Sequence, residues 1–378
     1  MLKPFEQAIY VTSPFLPPYE EFAKGIKEIW ENKWLTNNGP IVKRFEKRLE
    51  EYFDNKNICL FNNGTMALQI ALQGLGLSGD VITTPFSFVA TTHALYWNKL
   101  YPVFSDIEED YFTLDPKKVE EKITPWTTAI LAVHVFGHPC KLDELQAIAD
   151  KHKIKLIYDA AHSFGVRVND KSIDKFGDIS MFSFHATKLF HTFEGGMLSF
   201  KNRNLKKKLN YLKNFGFEGQ FEVVMPGTNA KMNEIQALMG LAVLEYMDEI
   251  IKKRKKIYNI YRTRLKEIPG IITVKEHSNN VVYNYAYLPI RINEADYGIS
   301  SFDLFEKLKE YNVFTRKYFY PLIPDFSCYK SLQIVDELTV ARKVAEEILT
   351  LPIYPDLALD DVHKICNIIE EIRKKKKI

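Results

Sequence analysis

The sequence predicts an α/β protein, with a large and mostly parallel sheet followed by a smaller α+β unit. Three observations lead there. Short apolar runs alternate with amphipathic helical stretches from residue 58 onward. The links between them are short, so strand and helix repeat as crossover units with helices on both faces of the sheet. After Pro269 the order changes, and strands and helices no longer alternate regularly.

Residues 58–61 read as a strand. A helix over 64–74 follows, with Met66, Leu68, Ile70, Ala71 and Leu72 at its apolar positions. Next come a strand at 81–84, a helix at 87–97, and strands at 102–106 and 128–136. A helix at 141–152 leads to strands at 155–159 and 179–184. Right-handed crossovers put the functional loops at the C-terminal ends of these strands. A long helix spans 232–264 with a break near Met247. Beyond it lie apolar runs at 271–275 and 281–292, a helix at 301–311 and a closing helix from Leu338. The expected division is a large domain over 1–248, with an N-terminal arm, and a small one over 249–378.

Hydrophobic content of 46% and charged content of 26% suit a globular enzyme. A net charge of +3 provides no field that selects nucleic acid or membrane. The basic run from Arg373 to Lys377 follows a helical stretch at 360–372 and reads as a solvated helix end. Cys59, Cys140, Cys328 and Cys366 form neither a disulfide pattern nor a zinc spacing, so a reducing compartment and no metal are expected. No apolar run reaches membrane-spanning length and the first residues lack an apolar leader, so the expected location is the cytoplasm.

Lys188 stands between two β-prone stretches, in Ser183-Phe-His-Ala-Thr-Lys188, and Glu194-Gly195-Gly196 follows. That context is expected to bury it at a sheet end, where desolvation favours a neutral amine able to attack carbonyls. The alternative is an ordinary surface lysine. Asp159 ends an apolar strand, where a carboxylate needs a cationic partner; a protonated pyridine nitrogen is one, and a simple turn cap is the alternative. His162 follows three residues later and falls beside such a ring. Gly64 and Thr65 open a helix directly after a strand, where free amides bind phosphate. Ser183 adds a hydroxyl, and plain capping by Asn63 or Thr65 is the alternative. In Thr84-Pro-Phe86-Ser-Phe88, one phenylalanine is expected to be exposed for stacking on a flat ring. Gly74-Leu-Gly76-Leu-Ser-Gly79 matches a dinucleotide pattern but follows a helix and precedes a strand, so it reads as a helix end.

These motifs resemble the DegT/DnrJ/EryC1/StrS family of sugar aminotransferases. Besides the lysine segment, the resemblance rests on Asn63-Gly64-Thr65-Met-Ala-Leu68, Asp159-Ala-Ala-His162, Thr228-Asn229-Ala-Lys-Met232 and Trp34-Leu-Thr-Asn-Asn38-Gly39-Pro40. It covers about residues 10–355. The resemblance implies the type I, aspartate aminotransferase-like fold, pyridoxal 5'-phosphate as cofactor, and a homodimer with sites at the subunit interface. Lys188 would bond the cofactor and carry protons, Asp159 pair with its ring nitrogen, and Phe88 stack on the ring. Gly64, Thr65 and Ser183 would hold the phosphate, with Asn229 arriving from the neighbouring subunit. Asn38, His185, Arg316, Tyr318 and Tyr320 fall where relatives line the sugar pocket.

Phe193 and Lys231 depart from the family pattern, which has glycine and arginine in many members. The wording of several blocks is similar to a subgroup that makes dTDP-4-amino-4,6-dideoxyglucose from the 4-keto-6-deoxy sugar and L-glutamate, for O-antigen. Amination at C3, a UDP-linked substrate, lyase or decarboxylase chemistry, and a non-catalytic regulator are the other readings.

Overall fold

The computed structural model describes residues 2–332 and 337–374. Its centre is a seven-stranded sheet. From one edge to the other the strands are Ile58–Phe61, Gly196–Phe200, Ile179–Ser183, Lys155–Asp159, Thr127–Val133, Asp80–Thr83 and Tyr101–Phe104. Gly196–Phe200 runs antiparallel to both its neighbours, and the remaining pairs are parallel. The central strands are largely buried and mostly apolar because helices cover both faces.

Glycines allow one close approach at the sheet edge and one helix end. A Cβ on Gly196 would lie 2.6 Å from the Asn63 carbonyl oxygen, so the strand can lie against that turn only without one. Gly76 closes the helix Gly64–Leu75 in the left-handed conformation, as the reversed glycine pattern implied.

Several boundaries differ from the sequence reading. The helix expected from Ser87 begins at Ala90, because residues 84–89 turn at the strand end. The strand expected to reach Phe136 stops at Val133, since Phe136 turns to φ 57° and gives its N–H to a histidine. The long helix is two, Glu234–Leu244 and Met247–Leu265, broken at the expected place. The run at 281–292 is two strands, Val281–Val282 and Leu288–Ile292, separated by a segment that docks on the large sheet's loops. The closing helix is likewise two, Thr339–Glu347 and Leu359–Lys374, with the strand Ile348–Leu351 between. Residues 333–336 precede it, and of the terminal basic run only Arg373 and Lys374 lie within the described residues.

The helices not anticipated include Tyr19–Asn32 and Pro40–Phe53. The second owes its start to a distant residue. Buried Glu234 accepts from the backbone N–H groups of Ile41 (2.8 Å) and Val42 (3.1 Å), a carboxylate cap at the positive helix end. A second core gathers around the sheet Ile271–Thr273, Leu288–Ile292 and Ile348–Leu351 and includes Phe5 and Ile9 from the N-terminal arm. Strand Ile9–Tyr10 pairs in parallel with Val313–Phe314, tying the arm to this second core.

Candidate active site

The C-terminal ends of the parallel strands gather most of the chemically notable residues, as crossover topology requires. Lys188 sits in the loop between the strands ending at Ser183 and starting at Gly196. Its neighbours Leu189 and Phe190 are buried, and Phe190 stacks on Phe164 with centroids 4.2 Å apart. The loop is thus anchored by apolar side chains while the lysine itself is half-buried, not buried as expected. Its Nζ donates to the Tyr287 hydroxyl at 3.3 Å. The apolar surroundings go to the two residues after it, so the lysine keeps access to solvent.

Asp159 is buried, and among the described residues no cation lies within ion-pair distance of it. Oδ2 accepts from Thr91 Oγ1 at 2.8 Å, and Oδ1 accepts from the Ala161 N–H at 3.1 Å. The second bond is the turn cap considered from sequence; the first leaves the carboxylate aimed at the loop end of the sheet. Burial pushes its carboxyl above the ordinary aspartate range, and Thr91, Ala161 and the Lys188 charge pull it partly back. A buried carboxylate so held suits a cationic ring nitrogen. Thr91 was not singled out from sequence. It stands next to Thr92, and only helical phase separates the hydroxyl that meets Asp159 from the one without a partner among the described residues.

At the other end, Asn63 caps the helix Gly64–Leu75 by accepting from the Met66 N–H at 2.8 Å. Capping leaves room for an anion here, because the Gly64 and Thr65 N–H groups make no bond within the described residues. A Cβ on Gly64 would sit 2.9 Å from Ser183 Cβ, so the glycine, the amides and the Ser183 hydroxyl form one cradle. Thr65 is exposed and Ser183 half-buried, leaving the cradle open to a phosphate.

Phe88 is exposed at the loop before Ala90, whereas Phe86 is buried against Phe112, Phe136 and Phe319. His162 is buried and accepts the Phe136 N–H at Nδ1 (3.0 Å), which assigns its proton to Nε2. Its ring centroid is 4.6 Å from that of Tyr287. Burial holds the His162 imidazole well below the usual histidine range. The same cause depresses His134 to about 3 and His277 to about 4. His138, also lowered by burial, shares a 2.8 Å hydrogen bond with His277. These groups bind protons more weakly folded than unfolded, so stability is lost as pH falls below about 6.5. One histidine kept neutral by the fold should cost about 2 kcal/mol between pH 7 and pH 5. Urea midpoints across that range should fall in the wild type and fall less in His277→Asn; parallel curves would remove His277 from the cause.

The residues expected around a sugar are dispersed. Tyr318 lies edge-on to Tyr287, with centroids 6.0 Å apart, and so joins the lysine group. His185 faces Glu194 at 3.5 Å and bonds Thr187. Arg316 is exposed, hydrogen-bonds the Tyr318 hydroxyl and pairs its backbone with Thr350, and Tyr320 packs edge-on against Phe302. Asn38 (φ 56°) lines a cavity with Leu60, Lys213 and Lys231, apart from Lys188. Asn229 is exposed and accepts from Lys231 Nζ at 2.7 Å. Phe193, where the family pattern has glycine, adopts φ 62° and packs its ring on Phe22; a non-glycine residue there costs about 1 kcal/mol. Tyr287 was missed altogether, because its segment carries no motif.

Comparison with known proteins agrees with this geometry. The DegT/DnrJ/EryC1/StrS aminotransferase family model matches residues 19–370. A dTDP-4-amino-4,6-dideoxy-D-glucose transaminase of Shigella dysenteriae is 45% identical, covering 97% of this chain and 100% of that protein. One of the same name from Escherichia coli is 44% identical, over 96% and 98%. The crystal structure of DesI with its TDP-sugar product superposes with a TM-score of 0.94 at 33% identity, covering 100% of this chain and 96% of that one. The chain therefore belongs to the DegT/DnrJ/EryC1/StrS aminotransferase family, whose members work with pyridoxal phosphate and share the type I fold.

Proposed function

We propose that this protein moves the amino group of L-glutamate to C4 of dTDP-4-keto-6-deoxyglucose, giving dTDP-4-amino-4,6-dideoxyglucose for O-antigen assembly. The observation that carries the reading is near-complete coverage, at 44–45% identity, by two relatives named for that product. The sheet-end geometry supports the chemistry.

Bound pyridoxal phosphate supplies a carbonyl that holds the amino group in transit and a ring that withdraws electrons from the carbon losing its proton. The Gly64 and Thr65 amides and the Ser183 hydroxyl would hold the phosphate, and Phe88 would cover the ring. Asp159 would keep the ring nitrogen cationic. His162, neutral and with its proton on Nε2, would flank it. Lys188 would hold the cofactor covalently at rest. Once released, its amine takes the α-proton of glutamate at Nζ; in the sugar half it returns a proton to C4. Asn38, His185, Arg316, Tyr318 and Tyr320 bind the sugar nucleotide. Asn38 lines a cavity that Lys188 does not line, which suits a homodimer whose sites form between subunits, with Asn229 reaching the partner's phosphate. Exposed Phe215, Phe217 and Phe221 offer apolar area for that contact. In this reading residues 1–248 bind the cofactor, residues 249–378 form the smaller domain, and the protein works in the cytoplasm.

The test is product analysis by mass and NMR, using purified protein, pyridoxal phosphate, glutamate and the 4-keto sugar nucleotide. An equatorial amine at C4 supports the proposal. Amine at C3, or turnover only with UDP-linked sugars, replaces it.

A further inference from the structure

We propose that Tyr287 is a positioning residue for Lys188, its phenol oxygen accepting an N–H of the amine and fixing where the nitrogen lone pair points. The inference rests on the reading of Lys188 given above. Tyr287 is buried, and its hydroxyl lies 3.3 Å from Lys188 Nζ. Its ring is held against His162 at 4.6 Å and Phe136 at 5.7 Å between centroids.

The segment that carries it is clamped onto two loops of the large sheet. Tyr283 donates its hydroxyl to the Phe136 carbonyl at 2.9 Å. Asn284, fully buried, donates to the carbonyls of His162 (2.8 Å) and Phe164 (3.0 Å) and accepts the Ala286 N–H at 3.1 Å. From the other side the buried Arg254 guanidinium donates to the Ala286 carbonyl at 3.0 Å. The phenol is therefore placed by fixed backbone contacts, whereas the lysine has four rotatable bonds and samples many rotamers when free.

The direction of the bond matters. An amine that donates one N–H to oxygen keeps its lone pair for proton transfer. Once it carries the proton, the same contact becomes charge-assisted and stronger. Tyr287 thus holds the amine in one place while the proton is carried. It touches Lys188 and acts through it.

Tyr287→Phe keeps the ring and removes the oxygen. Turnover of the holoenzyme should fall roughly tenfold, as for one lost hydrogen bond in a proton-transfer step, with KM for glutamate little changed. Deuteration of glutamate at its α-carbon provides a second readout: with the amine misplaced, proton transfer should limit turnover more, and the isotope effect should rise in Tyr287→Phe. General damage to the site would instead lower turnover and raise KM with the isotope effect unchanged. Borohydride reduction and peptide mapping should find the label on Lys188 in both proteins. Unchanged turnover, or an isotope effect that stays at the wild-type value, overturns the inference while leaving the Lys188 reading intact. A label on another lysine overturns both.

Discussion

Lys188→Ala is expected to lower turnover by at least about 10⁴-fold, because in the proposed function one side chain serves both as the covalent attachment point and as the proton carrier. Neighbours offer little substitution. His162 is buried with Nδ1 occupied by the Phe136 N–H, and the Tyr287 oxygen is oriented toward the lysine it would have lost. The fold should survive, since the loop is anchored by Leu189 and Phe190 and not by the lysine. Two measurements check this. Single-turnover kinetics with glutamate should show almost no amino transfer. Borohydride should trap pyridoxal phosphate on the wild-type chain and not on the variant. Turnover near the wild-type rate would sink the assignment of Lys188.

Asp159→Asn is the second large effect, and it should separate activity from stability. The carboxylate is buried with two neutral hydrogen bonds and no ion-pair partner among the described residues. Without a cationic ring beside it, its charge is a liability. Its folded-state pKa is raised, so the associated stability is present at low pH and lost as pH rises through that value. Asparagine removes the charge while keeping the size. The cofactor-free variant should therefore melt no lower than the wild type at neutral pH. Turnover should meanwhile drop on the order of 10³-fold, because in the proposed role a neutral partner no longer keeps the ring nitrogen protonated. Loss of stability together with activity would mark Asp159 as a structural cap only, and near-normal turnover would dismiss its role toward the ring. A stable, slow variant is the signature of a group kept for chemistry at the expense of the fold.

Much of this was legible in the chain. Apolar runs of four or five residues marked the parallel strands, because a strand buried on both faces has no polar positions to interrupt it. Gly64, Ser183, Asp159 and Lys188 stood directly after or at the ends of such runs, and crossover topology sends those ends to one side of the sheet. The break between Glu234–Leu244 and Met247–Leu265 was likewise readable from local pattern.

Other features depended on partners distant in sequence. Pro40–Phe53 is started by Glu234, almost two hundred residues later, so no window around Pro40 reveals it. Thr91 and Thr92 are identical in type and adjacent, and helix phase against Asp159 decides which is used. Phe86 and Phe88 divided in the same way between core and surface. The apolar character around Lys188 suggested burial, yet Leu189 and Phe190 took the buried places and left the lysine half-open. Tyr287 sits in a stretch that reads as strand, and only its docking on Phe136, His162 and Phe164 brings the phenol to the amine. By itself the sequence determined the sheet, the strand-end residues and the family they resemble, since each follows from short-range periodicity and motif. Which hydroxyl meets which charged group was decided by tertiary structure alone, because hydrogen bonds depend on ångström-scale distances between segments that the chain order leaves far apart.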